Sequence, residues 1–245
     1  MNLNTIPLVI DGNFFHVAAW FFIYCFLGWL WESAYRSYIH HRPINSGFLV
    51  GPYIPIYGFG ALLYIGLLHF TTRPVELFFL GGLLACSLEF ITSWLLEKIF
   101  HARWWDYSER FGNINGRVCV TGYLAFGAFA VLLPIVHRLI GVLVANIASP
   151  WLEIGVMAAL LIVLGDTTTT VAGLFKFNKV LSRYQKNLSH HLSFIQRRTL
   201  RNFPNFNSIK YPEALHLLNE FYLSINRKLK DHQLAPNKTK PSKKA

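Results

Sequence analysis

Charge is scarce in this sequence. Only 14% of its 245 residues are Asp, Glu, Lys or Arg, while 53% are hydrophobic. A soluble domain carries about a quarter charged residues, so an ordinary water-soluble fold is excluded. Cysteine is just as sparse. Cys25, Cys86 and Cys119 lie far apart, each inside an apolar run and without CxxC or Cys/His spacing. Neither a disulfide framework nor a zinc site is indicated. HExxH, GxSxG and Walker patterns are missing, as is a Cys–His arrangement in a soluble cleft. No catalytic, cofactor or metal residue is therefore assigned, and the chain is not read as an enzyme. If ATP is involved, a separate subunit must bind it.

The charge that is present is basic and unevenly placed. The net charge is +11, with residues 1–175 largely apolar and 176–245 strongly basic. No RNP-like, zinc-finger or Gly-rich signature accompanies the excess, so no nucleic-acid partner is expected. Positive charge beside hydrophobic runs instead points to membrane topology and anionic lipid headgroups.

A helix needs about 20 apolar residues to cross about 30 Å of hydrocarbon. Five segments meet that requirement: Phe14–Tyr35, Pro52–Phe70, Val75–Ile99, Val118–Leu139 and Trp151–Phe175. The second is interrupted by Pro55 and several glycines, the fourth by Pro134. Such breaks are expected to face other helices or a cavity, because lipid cannot satisfy free backbone groups. Ile140–Ala148 is too short to cross; a helical extension, an interfacial piece and a re-entrant segment are all open. The N-terminal segment lacks a basic n-region and a small-residue cleavage site, and reads as a retained first span. Five spans with the N-terminus outside and the C-terminus in the cytoplasm place 21 of the 23 Lys and Arg residues on the cytoplasmic side, as the positive-inside rule requires.

The first four spans read as one helix pair used twice, in units of about 14–70 and 75–139. Trp29-Leu30-Trp31-Glu32 ends the first helix and Trp94-Leu95-Leu96-Glu97 the third. Asn45-Ser46-Gly47 then parallels Asn115-Gly116-Arg117, and Phe59-Gly60-Ala61 parallels Phe126-Gly127-Ala128. Two spans return the chain to the same side, so the copies would be parallel, related by an axis along the membrane normal. Chance likeness of Gly- and aromatic-rich segments is the competing explanation.

Ionisable groups at membrane depth are costly and usually functional. Glu89 and Asp166 are the deepest, and Asp166 leads into Thr167-Thr168-Thr169-Thr170. Each suits a cation or proton site, a polar contact to a substrate, or a structural interhelical hydrogen bond. Glu32 and Glu97 lie near the cytoplasmic interface, with Arg36, Lys98, Arg103 and Arg117 as candidate partners; a salt bridge is the favoured reading. The run His101-Ala102-Arg103-Trp104-Trp105-Asp106-Tyr107-Ser108 continues to Asn113-Ile114-Asn115-Gly116-Arg117. It fits an interfacial anchor with turn residues, or a docking surface or gate. Glu32, Glu89, Glu97, Arg103, Asp106, Asn115, Arg117 and Asp166 are accordingly the candidate substrate or coupling residues. An enzyme acting on lipid would need Glu32, Glu97, Arg103 and Asp106 brought together.

Past the last span, Phe177, Leu181, Tyr184, Leu188, Leu192 and Ile195 recur at helical spacing. Leu215, Leu218, Tyr222, Ile225 and Leu229 form a second stripe after Pro212. Residues 176–236 are thus a basic region of cytoplasmic amphipathic helices, lying on anionic lipid or paired as a hairpin. Residues 237–245 read as disordered. The fold class is all-α, a polytopic bundle of about five spans with the first four as two parallel pairs.

Gly28-Trp29-Leu30-Trp31-Glu32-Ser33, the Gly47–Ala61 segment, Leu88-Glu89-Phe90, and the string Arg103-Trp104-Trp105-Asp106-Tyr107-Ser108 through Asn113-Ile114-Asn115-Gly116-Arg117 resemble the bacterial membrane proteins called "putative ABC-transporter type IV". The likeness covers about residues 15–170. It implies a permease subunit in the cell membrane, served by a separate ATP-binding subunit. The alternative is a membrane scaffold or envelope-stress protein that binds partners through its loops and tail. Five spans are few for a translocation pathway, so a homo-oligomer or a larger complex is expected.

Overall fold

The computed structural model describes residues 13–184 together with 194, 198, 199, 202, 207 and 208. The N-terminal arm, the amphipathic stripe after Pro212 and the terminal 237–245 lie outside the described residues.

The described chain is helical throughout, in the order α1 (Phe14–His40), α2 (Pro55–Leu67), α3 (Pro74–Phe100), α4 (Val120–Ala145) and α5 (Ser149–Tyr184). Two short strands, β1 (Ala102–Arg103) and β2 (Asn207–Ser208), pair antiparallel, with Ala102 opposite Ser208 and Arg103 opposite Asn207. Helices α1, α3, α4 and α5 are long and apolar enough to cross a membrane. The apolar side chains they leave exposed, such as Phe79, Leu83, Leu132 and Leu161, are what a lipid-facing surface requires.

Helix boundaries follow local chemistry. Asn13 caps α1 by accepting from the Phe15 amide at 3.1 Å, and His41 ends it in the left-handed region at φ 49. His101 ends α3 the same way, at φ 52. Pro55 and Pro74 stand in the first turns of α2 and α3, where a missing N–H costs nothing.

The second segment departs from expectation. Instead of a span over Pro52–Phe70, α2 has 13 residues, about 20 Å at 1.5 Å per residue. The chain before it, Gly47–Pro52, is a series of bends. Pro52 and Pro55 explain the unwinding, since proline lacks the donor a helix interior needs. The other expected break is healed. Pro134 lies inside α4, which continues through Ile140 to Ala145, so most of Ile140–Ala148 is a helical extension. Likewise α5 runs past Phe175 into the basic region as far as Tyr184.

Helices α3 and α4 pack along much of their length, and so do α1 and α2. Small residues permit both approaches. A Cβ on Gly127 would lie 2.8 Å from the Phe78 carbonyl oxygen, and one on Gly28 would lie 2.2 Å from the Tyr57 ring. The core joins the pairs through Trp20, Tyr24, Tyr64, Ile65, Leu77, Ala130 and Val144. Tyr64 Oη donates across the bundle to the Ala130 carbonyl at 2.8 Å. Toward the other end of α1, Tyr24 Oη and His137 Nδ1 lie 3.1 Å apart. The C-terminal ends of α1 and α3 and the described residues 198–208 share one end of the bundle, the tail end.

Candidate functional site

The tail end is built from two connecting segments that fold back against the helices. The first, residues 41–54, reaches deep enough for the Ile54 amide to donate to the Cys25 carbonyl at 3.0 Å. It is pinned to α1 by Ser46 N donating to Ser33 Oγ (3.0 Å) and by Trp29 Nε1 donating to Asn45 Oδ1 (2.6 Å). Asn45 Nδ2 then closes the bend onto the Val50 carbonyl at 2.8 Å.

This strap is polarised. Its amides face α5, where the Asp166 carboxylate accepts from Val50 N (3.2 Å), Gly51 N (2.8 Å), Tyr53 Oη (2.6 Å) and Thr170 Oγ1 (2.9 Å). Its carbonyls face the tail. The Arg198 guanidinium donates to Gly47 O (3.2 Å), to Phe48 O (3.3 Å) and to Leu49 O. Asn202 Nδ2 donates to Asn45 O at 2.7 Å, and Arg36 donates to Asn202 O. An unwound backbone packed among apolar helices must be satisfied by protein, and α5 with the tail residues Arg198 and Asn202 does this from both sides.

The second connection, residues 101–119, satisfies itself. The Asp106 carboxylate accepts from Ser108 N (2.9 Å) and Ser108 Oγ (2.5 Å). Those hydrogen bonds, the Oγ one foremost, hold its carboxyl below the usual range. Asn113 Nδ2 donates to the carbonyls of Ser108 and Arg110, and Asn113 Oδ1 accepts from Gly116 N. Asn115 and Gly116 have φ values of 52 and 66, and Arg117 N donates to Ile114 O at 3.0 Å. That is the primed turn for which Asn-Gly is the strongest short signal.

Glu97 anchors this loop to α3. It pairs with Arg103 Nε and Arg117 Nη2, both at 2.8 Å. Arg117 is buried, lies over the Phe90 ring and donates to Ser93 Oγ at 3.2 Å. Lys98, the other candidate partner, sits over the Trp94 ring. Trp104 is buried against Phe48 and Phe100, so it ties the two connections together instead of standing among lipid headgroups.

Between the connections lies a carboxylate cluster. Glu32 of α1 is 3.9 Å from Arg36 and accepts from Tyr57 Oη of α2 at 3.4 Å. Glu89 of α3 accepts from Tyr107 Oη of the second connection at 3.2 Å. The two carboxylates are near enough to act on one another, with Tyr57 and Tyr107 beside them. Burial, then the Glu89 carboxylate, pushes the Tyr107 phenol well above the usual tyrosine range, so it stays a donor.

The eight candidates thus fall in three places. Glu32 and Glu89 meet in the cluster. Glu97, Arg103 and Arg117 form the ion pairs, with Asp106 and Asn115 in the same loop closing turns. Asp166 stands apart on the strap. Glu32, Glu97, Arg103 and Asp106 are not gathered as one set. Arg36 takes the place expected of it beside Glu32, while Tyr53, Tyr57, Tyr107, Arg198 and Asn202 complete these sites without having been among the candidates. No group of three or more His, Cys, Asp or Glu is arranged for a metal among the described residues.

Four long apolar helices around a polar, loop-lined end define a multi-pass membrane protein. The chain belongs to the family described as "Putative ABC-transporter type IV", whose sequence model matches residues 19–171. The match takes in both connections, all eight candidates and most of α5. Arg198, Asn202 and β2 lie beyond it. No match is found among curated proteins or solved structures.

Proposed function

We propose that this chain is the permease component of an ABC-type transporter in a bacterial cell membrane, with its N-terminus outside and its tail end in the cytoplasm. A separate subunit supplies ATP hydrolysis, and the chain itself is neither an enzyme nor a cofactor carrier. Family membership supports the reading. The observation that carries it is the contact from Tyr107 to Glu89. A partner pressing on the 101–119 loop pulls directly on a carboxylate within the bundle, which is the mechanical link a permease needs to its motor. The positive-inside rule sets the orientation, and the basic region suits anionic lipid.

Two surface depressions lie along Ile135–Leu143 and along Pro74–Phe79, and neither is lined by Glu32 or Glu89. A second copy or a larger complex would complete a pathway past those residues. The two helix pairs, viewed as parallel repeats, would line it.

The test is purification from native membranes in mild detergent, combined with a broad metabolite screen of a deletion strain. Co-purification of an ATP-binding subunit, with altered uptake or export restored by the wild-type gene but not by a Tyr107→Phe copy, supports the proposal. A chain that purifies alone from a strain with unchanged transport overturns it.

A second reading, a scaffold that binds partners through loops and tail, is favoured by one observation: Arg198 and the β1–β2 pair clasp both connections. It requires that tail deletion abolish function while Glu89 and Asp166 variants alter only folding.

A further inference from the structure

Glu89 poses a problem of charge balance. Its residue surface is 8% exposed. One carboxyl oxygen accepts from Tyr107 Oη at 3.2 Å, and the other, Oε2, is buried with no hydrogen-bond partner. Among the described residues, the titratable groups that act on it are Glu32 from α1, Tyr57 from α2, Cys86 from α3 and Tyr107 from the second connection; Arg36 acts on Glu32 and Tyr107, and Cys119 on Cys86 and Tyr107. Among the described residues no cation is paired with Glu89; Arg36, at the edge of this group, lies beside Glu32 at 3.9 Å and also donates to the Asn202 carbonyl. Arg117, which lies over the ring of the neighbouring Phe90, is already paired to Glu97 at 2.8 Å. Of the two carboxylates, Glu32 thus has a guanidinium beside it and Glu89, among the described residues, has none.

Burying an unpaired anion costs far more than leaving one neutral hydrogen-bonding atom unsatisfied. The balance is restored by a proton or by a bound cation. A cation needs several ligands and room, and no group of three or more His, Cys, Asp or Glu that could hold one is found among the described residues. A proton needs neither.

We propose that Glu89 is a proton-binding site, its carboxyl group held as the neutral acid in this closed arrangement and loaded from the tail end by way of Glu32. The proton comes from water on that side and forms the Oε2–H bond; on release the same bond breaks and the proton returns to water, with no other bond changed. Tyr107 keeps its own proton and hydrogen-bonds the carbonyl oxygen of the acid. Lifting the 101–119 loop removes that donor and opens Glu89 to exchange. The site stands whether or not the chain is a permease, because it rests on the burial of Glu89 and its pairing among the described residues.

Infrared spectroscopy of the full-length protein in lipid nanodiscs tests it. At neutral pH the wild type is expected to show the C=O stretch of a protonated carboxylic acid, shifted by deuteration, lost in Glu89→Gln and kept in Glu32→Gln. Tyr107→Phe is expected to keep the band and move it to higher wavenumber, since its carbonyl loses a hydrogen bond. That variant decides the matter if Glu89→Gln does not fold. The proposal is overturned by a wild type without the band at neutral pH, by a band unchanged in Glu89→Gln or in Tyr107→Phe, or by a band that sodium or potassium abolishes at constant ionic strength.

Discussion

The two connections at the tail end solve one problem in opposite ways. Residues 101–119 hold themselves: Asp106 to Ser108, Asn113 to its neighbours, Asn115-Gly116 as a turn, and Arg103 and Arg117 back to Glu97. Residues 41–54 have local ties through Ser33, Ser37 and Asn45, but the bends at Gly47–Gly51 rest on Asp166 and Arg198, more than a hundred residues away. A loop closed by short-range bonds loses little chain entropy in forming and moves as a rigid body. A strap closed by a distant helix moves when that helix moves. The first helix pair is therefore the one whose strap depends on α5 and on the tail residues Arg198 and Asn202.

The largest effect should come from Asp166→Ala. It leaves the Val50 and Gly51 amides without acceptors, and each unsatisfied buried donor costs about 1–3 kcal/mol. A loss of about 3–5 kcal/mol in thermal unfolding is expected, and Asp166→Asn, which keeps one acceptor oxygen, should lose about half as much. Hydrogen exchange should rise at 47–53 and stay unchanged at 103–119. Equal exposure of both connections would break the comparison.

Arg198→Ala comes next. Hydrogen bonds from a charged donor contribute about 1.5–3 kcal/mol, so a local loss of about 2 kcal/mol is expected. It should appear as faster proteolysis within 45–51. Because β2 holds the tail on β1 separately, Ala102 and Arg103 should keep their protection. Protection lost at both places would show that the tail docks as one unit and that the two connections are not independent.

The same division decided what could be read from the amino-acid string. Four spans were legible because length and apolarity alone specify them, and the partners of Glu97 because Arg103 and Arg117 follow within one loop. Asn115 was read as a candidate substrate or coupling residue; the structure places it, exposed, in the left-handed position of an Asn-Gly turn. Pro52 and Pro55 were visible, yet a hydrophobic window registers length and not helicity, so the short α2 was hidden. Nothing near Gly47 announces Arg198, and nothing in α3 announces that Tyr107 folds back to Glu89. Contacts made by a loop re-entering its own bundle leave no periodic trace.

Smaller effects probe the self-sufficient loop. A non-glycine residue in the left-handed region costs about 1–2 kcal/mol, a cost Asn meets better than Ala. Asn115→Ala should therefore destabilise the protein by about 1 kcal/mol in thermal unfolding, whereas Asn115→Gly should be near neutral. Gly116→Ala should cost more than either, because its Cβ would lie 2.5 Å from Asp106 Oδ1. If the strap at 47–51 loosens in any of these variants, the second connection supports the first and the contrast weakens.

The smallest expected effect concerns Asp106. Its carboxyl is held below the usual range by Ser108, first through the hydroxyl and then through the amide. A carboxyl depressed on folding adds stability above its unfolded value, about 3.9, and that addition fades as pH falls through the folded value. Ser108→Ala removes the hydroxyl donor and leaves the amide, so the titration of the labelled Asp106 carboxyl, followed by NMR, should move up toward the ordinary aspartate value without reaching it. The loop should then lose part of its resistance to acid, while the strap, whose partners are Asp166 and Arg198, should keep its own pH response. A shift of both together would mean that the two connections titrate as one structure.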